Sequence, residues 1–326
     1  MPKVVCTALN TQQGPHIDIF QKAGFEIEFA PDGVSFFQAE NLINILKDAD
    51  AVVAGSEPYT RQVLQSLPKL RVIARSGVGF DAIDLAACDE RDIPVCTTPG
   101  VNHDSVAEHT IAMLMALVRG FPELDRKVRK NQWNRVSHPR AMGRTLGILG
   151  LGRIGQAVAW RAVGLGIKVI AYELYPNQEF VKKWNIELLD LDTLLGRSDF
   201  VSLHLPMSKE NFQIMNRERF AKMKKGAIVI NTARGPLIHE VDLYNALKSG
   251  QLAGAGLDVF HTEPLPLTSP LLELDNVLLA GHVAGLDDES AHDTAKMYAE
   301  IIVGLWNGKW PEGCVQNLKG RMGWKW

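Results

Sequence analysis

The run ILGLGRIGQA, residues 148–157, decides how this chain is read. Apolar Ile148 and Leu149 lead into a glycine turn, after which Ile154, Val158 and Val163 recur at helical spacing. In the context of strand, turn and helix, Gly150, Gly152 and Gly155 predict a dinucleotide-binding unit. The first glycine makes the tight turn, the second lets backbone approach a pyrophosphate, and the third lets helix and strand pack closely. The helix start, with Arg153 and Ile154, faces the negative charge. The next strand, KVIAYE, ends in Glu173, 23 residues beyond Gly150. A carboxylate there accepts both ribose hydroxyls of NAD and repels the 2′-phosphate of NADP. No lysine or arginine lies among residues 174–178 to welcome that phosphate, so the expected cofactor is NAD.

Outward from this turn, candidate strands follow at 146–149, 168–172, 200–203, 227–231, 253–258 and 277–280, six in all, as in a doubly wound sheet. Upstream, apolar runs at 4–9, 26–29, 51–54, 70–74 and 95–97 alternate with helix-like segments at 15–23, 38–47, 60–66 and 83–91. The expected fold class is therefore α/β, with a Rossmann-type doubly wound parallel sheet preceded by a second α/β domain. Residues 102–119 are apolar almost all round, which predicts a helix buried between domains or subunits. The basic stretch 125–144 reads as a solvated connector. The amphipathic segment 289–307 is expected to return to the first domain. The domains are then 1–99 with 287–326, and 100–286.

The chain's 326 residues exceed one ordinary core, in keeping with two domains. A net charge of −2 offers nucleic acid or an anionic membrane no general attraction. Cys6, Cys88, Cys96 and Cys314 are widely spaced, which fits reduced thiols better than a disulfide framework or a metal site. The start, MPKVVCTAL, lacks the pattern of a signal peptide, and the apolar run Ile111 to Val118 is far short of a membrane span. A cytoplasmic location is the expectation.

Ligands of an open α/β sheet sit beyond the carboxyl ends of its strands. Those exits carry His204 and Pro206, then Thr232-Ala233-Arg234, then Asp258 with Glu263, and finally Gly281-His282 followed by Ala284 and Gly285. A nicotinamide enzyme acting on an alcohol needs a base, for which histidine is the usual choice. It also needs a cation for a carboxylate or carbonyl, and an acid to orient the histidine. His282, Arg234 and Glu263 are one of each.

In this order and spacing, GLGRIG, NTARG (231–235), DVFHTEP (258–264) and the His282 loop resemble the D-2-hydroxyacid dehydrogenase family, in particular its phosphoglycerate dehydrogenases. So do RSGVGFDAID (75–84) and TTPGVNHDSVAEHT (97–110). The resemblance implies a flavodoxin-like substrate domain at the start of the chain and an active site in the cleft between domains. It implies Arg234 as substrate clamp, His282 as acid/base and Glu263 as its orienter. Asp258 would hold the nicotinamide carboxamide, and Ser76-Gly77-Val78-Gly79 would bind the substrate carboxylate through backbone N–H groups. The implied partner is a small 2-hydroxy or 2-keto acid, and the implied assembly is a homodimer formed through 102–119 and the basic arm. Arg75 could meet a phosphate, which makes 3-phosphoglycerate/3-phosphohydroxypyruvate the leading expected pair. Hydroxypyruvate/glyoxylate reduction is the alternative, and an NAD-sensing co-repressor-like binding protein is the alternative of another class. The family usually carries proline where this chain has Gly281, which predicts a looser His282 loop.

Overall fold

Two parallel sheets organise the chain, each in its own compact unit: Met1–Asn102 with Asp287–Trp326, and His103–Leu286. The computed structural model describes residues 1–8, 11–133, 135–318 and 323–326.

The first unit carries β1 (Lys3–Cys6), β2 (Glu26–Phe29), β3 (Ala51–Ala54), β4 (Val72–Arg75) and β5 (Val95–Cys96), in the order β2-β1-β3-β4-β5. That is the flavodoxin-like winding. All four residues of β3, AVVA, are buried, as a strand covered on both faces requires. One face packs on Leu42, Leu46, Val63 and Leu64. The other packs on Phe20 and on Tyr298, Ile302 and Leu305 of the helix Asp288–Trp306, which joins this unit from the far end of the sequence. The first expected strand stops early because Thr7 and Ala8 both donate to Val53 O, at 3.0 and 3.2 Å, and leave the regular ladder. Leu9, its last expected residue, lies outside the described residues.

The second unit carries β6 (Thr145–Leu149), β7 (Lys168–Tyr172), β8 (Glu187–Leu188), β9 (Phe200–Leu203), β10 (Ala227–Asn231), β11 (Leu252–Leu257) and β12 (Val277–Leu279). Their order, β12-β11-β10-β9-β6-β7-β8, is the doubly wound order extended by one strand. The sheet thus has seven strands where six were expected. The extension is β12, and the strand missed from the sequence is β8, two residues that pair with Ile170 and Ala171 of β7 and leave no apolar run. The winding reverses between β6 and β9, where such sheets bind ligands.

The helix His103–Val118 lays Ala107, Met113, Leu114 and Val118 into the core that the helix Arg153–Gly164 also lines. The expected connector contains a helix, Phe121–Arg129, with no buried residue. Proline in its first turn and the ion pairs Lys127–Glu123 and Arg129–Asp125, each one turn apart, support it without a core. Asn134 of that stretch lies outside the described residues. Among the described residues, no helix is long and apolar enough to cross a membrane.

Candidate active site

At the glycine turn the backbone leaves no choice of residue at two positions. Gly150 has φ +95°, and a Cβ there would stand 2.7 Å from His204 O. A Cβ on Gly155 would stand 2.0 Å from Gly150 O, so helix and turn touch only because it is absent. Gly152 differs: a Cβ there meets nothing within 4 Å. The space beside it is open, as approach of a pyrophosphate to backbone N–H groups and a helix start requires. Glu173 borders the same turn, accepting from Leu151 N at 2.7 Å and from Tyr175 N at 2.9 Å. These two bonds fix a half-buried carboxylate beside the glycines, where ribose hydroxyls can reach it. The residues fit a bound dinucleotide.

His204 leaves β9 with its N–H on Leu149 O at 2.7 Å and Nε2 at 2.8 Å from Ser202 Oγ. Burial pushes its imidazole down to about 3, so the ring is neutral. Pro206 follows in an exposed position.

The exit of β10 is braced by its own last residue. Asn231, 1% exposed, accepts from Ala233 N at 3.1 Å and donates to Arg234 O at 2.9 Å. The Thr232 hydroxyl lies 2.9 Å from that of Thr110 on the long helix His103–Val118. A Cβ on Gly235 would collide with Phe260 C at 1.9 Å, so the Arg234 turn lies directly on the loop that carries Glu263. Arg234 itself donates to Ala233 O at 2.6 Å.

Asp258, 1% exposed, organises the next two loops. Its carbonyl accepts from His282 N at 2.7 Å. Its carboxylate accepts from Val283 N and Ala284 N, each at 2.9 Å. Ala284 O in turn accepts from Ser105 Oγ at 2.8 Å. Between these anchors His282 takes φ +57°, uncommon for a side chain with a Cβ and sustained by the surrounding bonds. His282 Nδ1 lies 2.8 Å from Glu263 Oε2, and Glu263 Oε1 accepts from Phe260 N at 2.9 Å. Burial pushes the Glu263 carboxyl up, but the bonds from His282 and Phe260 and the charges of His282 and Arg234 outweigh it and hold it below its ordinary value. Glu263 is therefore ionised, Nδ1 donates to it, and Nε2 is the nitrogen left to exchange a proton. The looseness expected from Gly281 is countered from the other side of His282, where Asp258 grips three successive N–H groups.

In the first unit, Ser76-Gly77-Val78-Gly79 follows β4. Ser76 N donates to Ala54 O at 2.9 Å and Thr98 N to Gly77 O at 3.0 Å. The N–H groups of Gly77, Val78 and Gly79 have no acceptor among the described residues, so the turn can take an anion. Arg75 donates Nε to Gly79 O at 2.7 Å and Nη1 to Ala54 O at 3.3 Å, which shapes the turn from beneath.

The structure thus gathers Arg234, Glu263 and His282 around one carboxylate, with Asp258 behind the histidine loop. Asn231, Ser105 and Thr110 brace these loops and were not singled out from the sequence. Ser105 and Thr110 lie inside the motif 97–110, but their partners are more than 100 positions away, at Ala284 and Thr232.

Comparison with known proteins identifies the family. Residues 111–284 match the family model described as D-isomer specific 2-hydroxyacid dehydrogenase, NAD binding domain. A glyoxylate reductase of Korarchaeum cryptofilum is 42% identical over 281 residues, 84% of this chain and 85% of that protein. A D-3-phosphoglycerate dehydrogenase of Archaeoglobus fulgidus is 38% identical over 295 residues, 90% of this chain but 55% of that longer protein. The crystal structure of a D-lactate dehydrogenase from Aquifex aeolicus, complexed with NAD and lactic acid, superposes with a TM-score of 0.81 at 31% identity, covering 94% of this chain and 96% of that one. This chain belongs to the D-isomer specific 2-hydroxyacid dehydrogenase family and is an oxidoreductase that uses NAD.

Proposed function

We propose that the chain interconverts a small, unphosphorylated 2-keto acid of the glyoxylate/hydroxypyruvate type and its D-2-hydroxy acid. The observation that carries the chemistry is the 2.8 Å bond from His282 Nδ1 to an ionised Glu263 that also feels Arg234. When bound, NAD supplies the hydride acceptor or donor at C4 of its nicotinamide. In the oxidative direction His282 Nε2 takes the hydroxyl proton, and Glu263 stabilises the imidazolium that forms. Arg234 holds the carboxylate and the oxygen that becomes a carbonyl. In reduction His282 returns the proton. Asp258 keeps the histidine loop in register and offers its carboxylate edge to the nicotinamide amide. Gly150, Gly152, Arg153, Ile154, Gly155 and Glu173 hold the dinucleotide, with His204, Pro206, Thr232, Ala233, Ala284 and Gly285 lining its path. The SGVG turn supplies N–H groups for the substrate carboxylate.

The unphosphorylated acid is preferred over phosphohydroxypyruvate because Arg75, the candidate phosphate ligand, commits two guanidinium nitrogens to Gly79 O and Ala54 O. An arginine spent on its own turn is a poor clamp for a distal dianion. For the assembly, the exposed Phe121, Val128, Trp133, Val136 and Met142 along the basic arm support a homodimer. The test is NADH oxidation with glyoxylate, hydroxypyruvate, pyruvate and 3-phosphohydroxypyruvate side by side. We expect kcat/KM for the best unphosphorylated acid to exceed that for the phosphorylated one at least about ten-fold. A preference for 3-phosphohydroxypyruvate that disappears in Arg75→Ala would overturn the substrate assignment.

A further inference from the structure

In the first unit a carboxylate is buried with no cation to pair it. Glu57 is 4% exposed, and among the described residues no lysine, arginine or histidine forms an ion pair with it. Burying an unpaired carboxylate is costly, and this one lies beyond the carboxyl end of a central parallel strand, where ligands of such sheets sit. Glu57 follows the carboxyl end of β3, on the loop whose Ala54 O accepts from both Ser76 N and the Arg75 guanidinium. The Glu57 loop and the SGVG turn are therefore adjacent and tied together.

The two oxygens of Glu57 are treated differently. Oε1 accepts from Gly55 N at 3.0 Å, from Tyr59 OH at 2.9 Å and from the Thr7 hydroxyl. Burial, followed by the Glu57 charge, pushes the Tyr59 hydroxyl well above its ordinary value, so it stays protonated and donates. Oε2 accepts no hydrogen bond among the described residues. It lies over Gly55, where a Cβ would come within 2.6 Å of it. Three donors thus lock one oxygen and leave the other as a fixed acceptor beside an anion-binding turn.

We propose that Glu57 Oε2 is a specificity-determining acceptor that receives the hydroxyl on the substrate carbon next to the keto carbon. It favours a 3-hydroxy-2-keto acid such as hydroxypyruvate, is indifferent to an acid with nothing there, and repels a phosphate or second carboxylate at that carbon. The proposal rests on the reading of the SGVG turn as the seat of the substrate carboxylate, and it narrows the substrate class within the proposed function.

Glu57→Gln gives a sharp test, because the three donors hold the amide oxygen at the Oε1 position and turn the NH2 to the Oε2 position. The acceptor becomes a donor without a change of size. With NADH, native protein is expected to prefer hydroxypyruvate over pyruvate by about ten-fold or more in kcat/KM. In Glu57→Gln that ratio should fall at least about five-fold, while kcat/KM for 3-phosphohydroxypyruvate relative to hydroxypyruvate rises. Glyoxylate, which carries no group beyond its keto-bearing carbon, tests the underlying reading: no turnover of it or of any other 2-keto acid by native protein defeats the proposed function itself. Turnover with a hydroxypyruvate-to-pyruvate ratio near one in native protein, or a ratio unmoved by Glu57→Gln in a folded variant, overturns the Glu57 assignment alone. If the variant does not fold, the native ratio still decides.

Discussion

Glu263 shows how one carboxylate can orient the histidine beside it. Desolvation pushes its carboxyl up, yet the bonds it receives and the charges around it hold it below the ordinary carboxylate value. A carboxyl lowered by folding contributes stability above its unfolded value of about 4.3 and loses it as pH falls through the lowered one. Across the neutral range its charge is therefore constant, and its bond to Nδ1 leaves His282 Nε2 to exchange a proton. Glu263→Gln removes that charge while keeping the shape. The neutral amide can no longer stabilise the imidazolium that forms in oxidation, so kcat should fall about ten- to a hundred-fold while KM changes far less. An unchanged kcat would mean that Glu263 merely fills space. The triad was legible from sequence because each member stands at a strand exit, a position that periodicity alone locates. Asn231 and Glu57 were not. Glu57 depends on Thr7, 50 positions away, which only folding brings close, and Asn231 braces a local turn to Ala233 and Arg234 that apolar periodicity does not report.

Among the elements, β9 couples the cofactor turn to the stability of its unit. His204 at its exit is partly buried and neutral, desolvation holding its imidazole down to about 3. The unfolded chain binds that proton near pH 6.5. Between these values the unfolded state carries more protons than the folded one, so stability falls as pH falls, by up to about 1.4 kcal/mol per unit from this group. Urea unfolding at pH 7 and pH 5 should show a smaller acid loss in His204→Gln than in native protein; equal losses would contradict the desolvated, neutral assignment. Strands such as β3 and β10 were legible because burial on both faces writes itself as a continuous apolar run. The two-residue β8 is too short to do so. The helix Phe121–Arg129 passed for a connector because it buries nothing and is held by ion pairs and a proline start instead.

For the whole molecule, two parallel sheets follow from the alternation of strand and helix, which made that plan legible in the sequence, while the flavodoxin-like order of the first sheet was implied only by the family resemblance. What periodicity could not supply was the return of the helix Asp288–Trp306, which a count of strands suggested and its packing on Phe20 and the first sheet explains. The substrate likewise lies beyond patterning, because glyoxylate reductases and phosphoglycerate dehydrogenases are both similar to this chain. The central claim is that this chain reduces a 2-keto acid stereospecifically with NADH, through His282. It is tested most directly by incubating the purified protein with NADH and hydroxypyruvate and resolving the glycerate enantiomers formed, in native protein and in His282→Ala. The account predicts D-glycerate matched to NADH consumed, with the rate falling about 10²- to 10⁴-fold in the variant. L-glycerate, or D-glycerate formed as fast without His282, would contradict it.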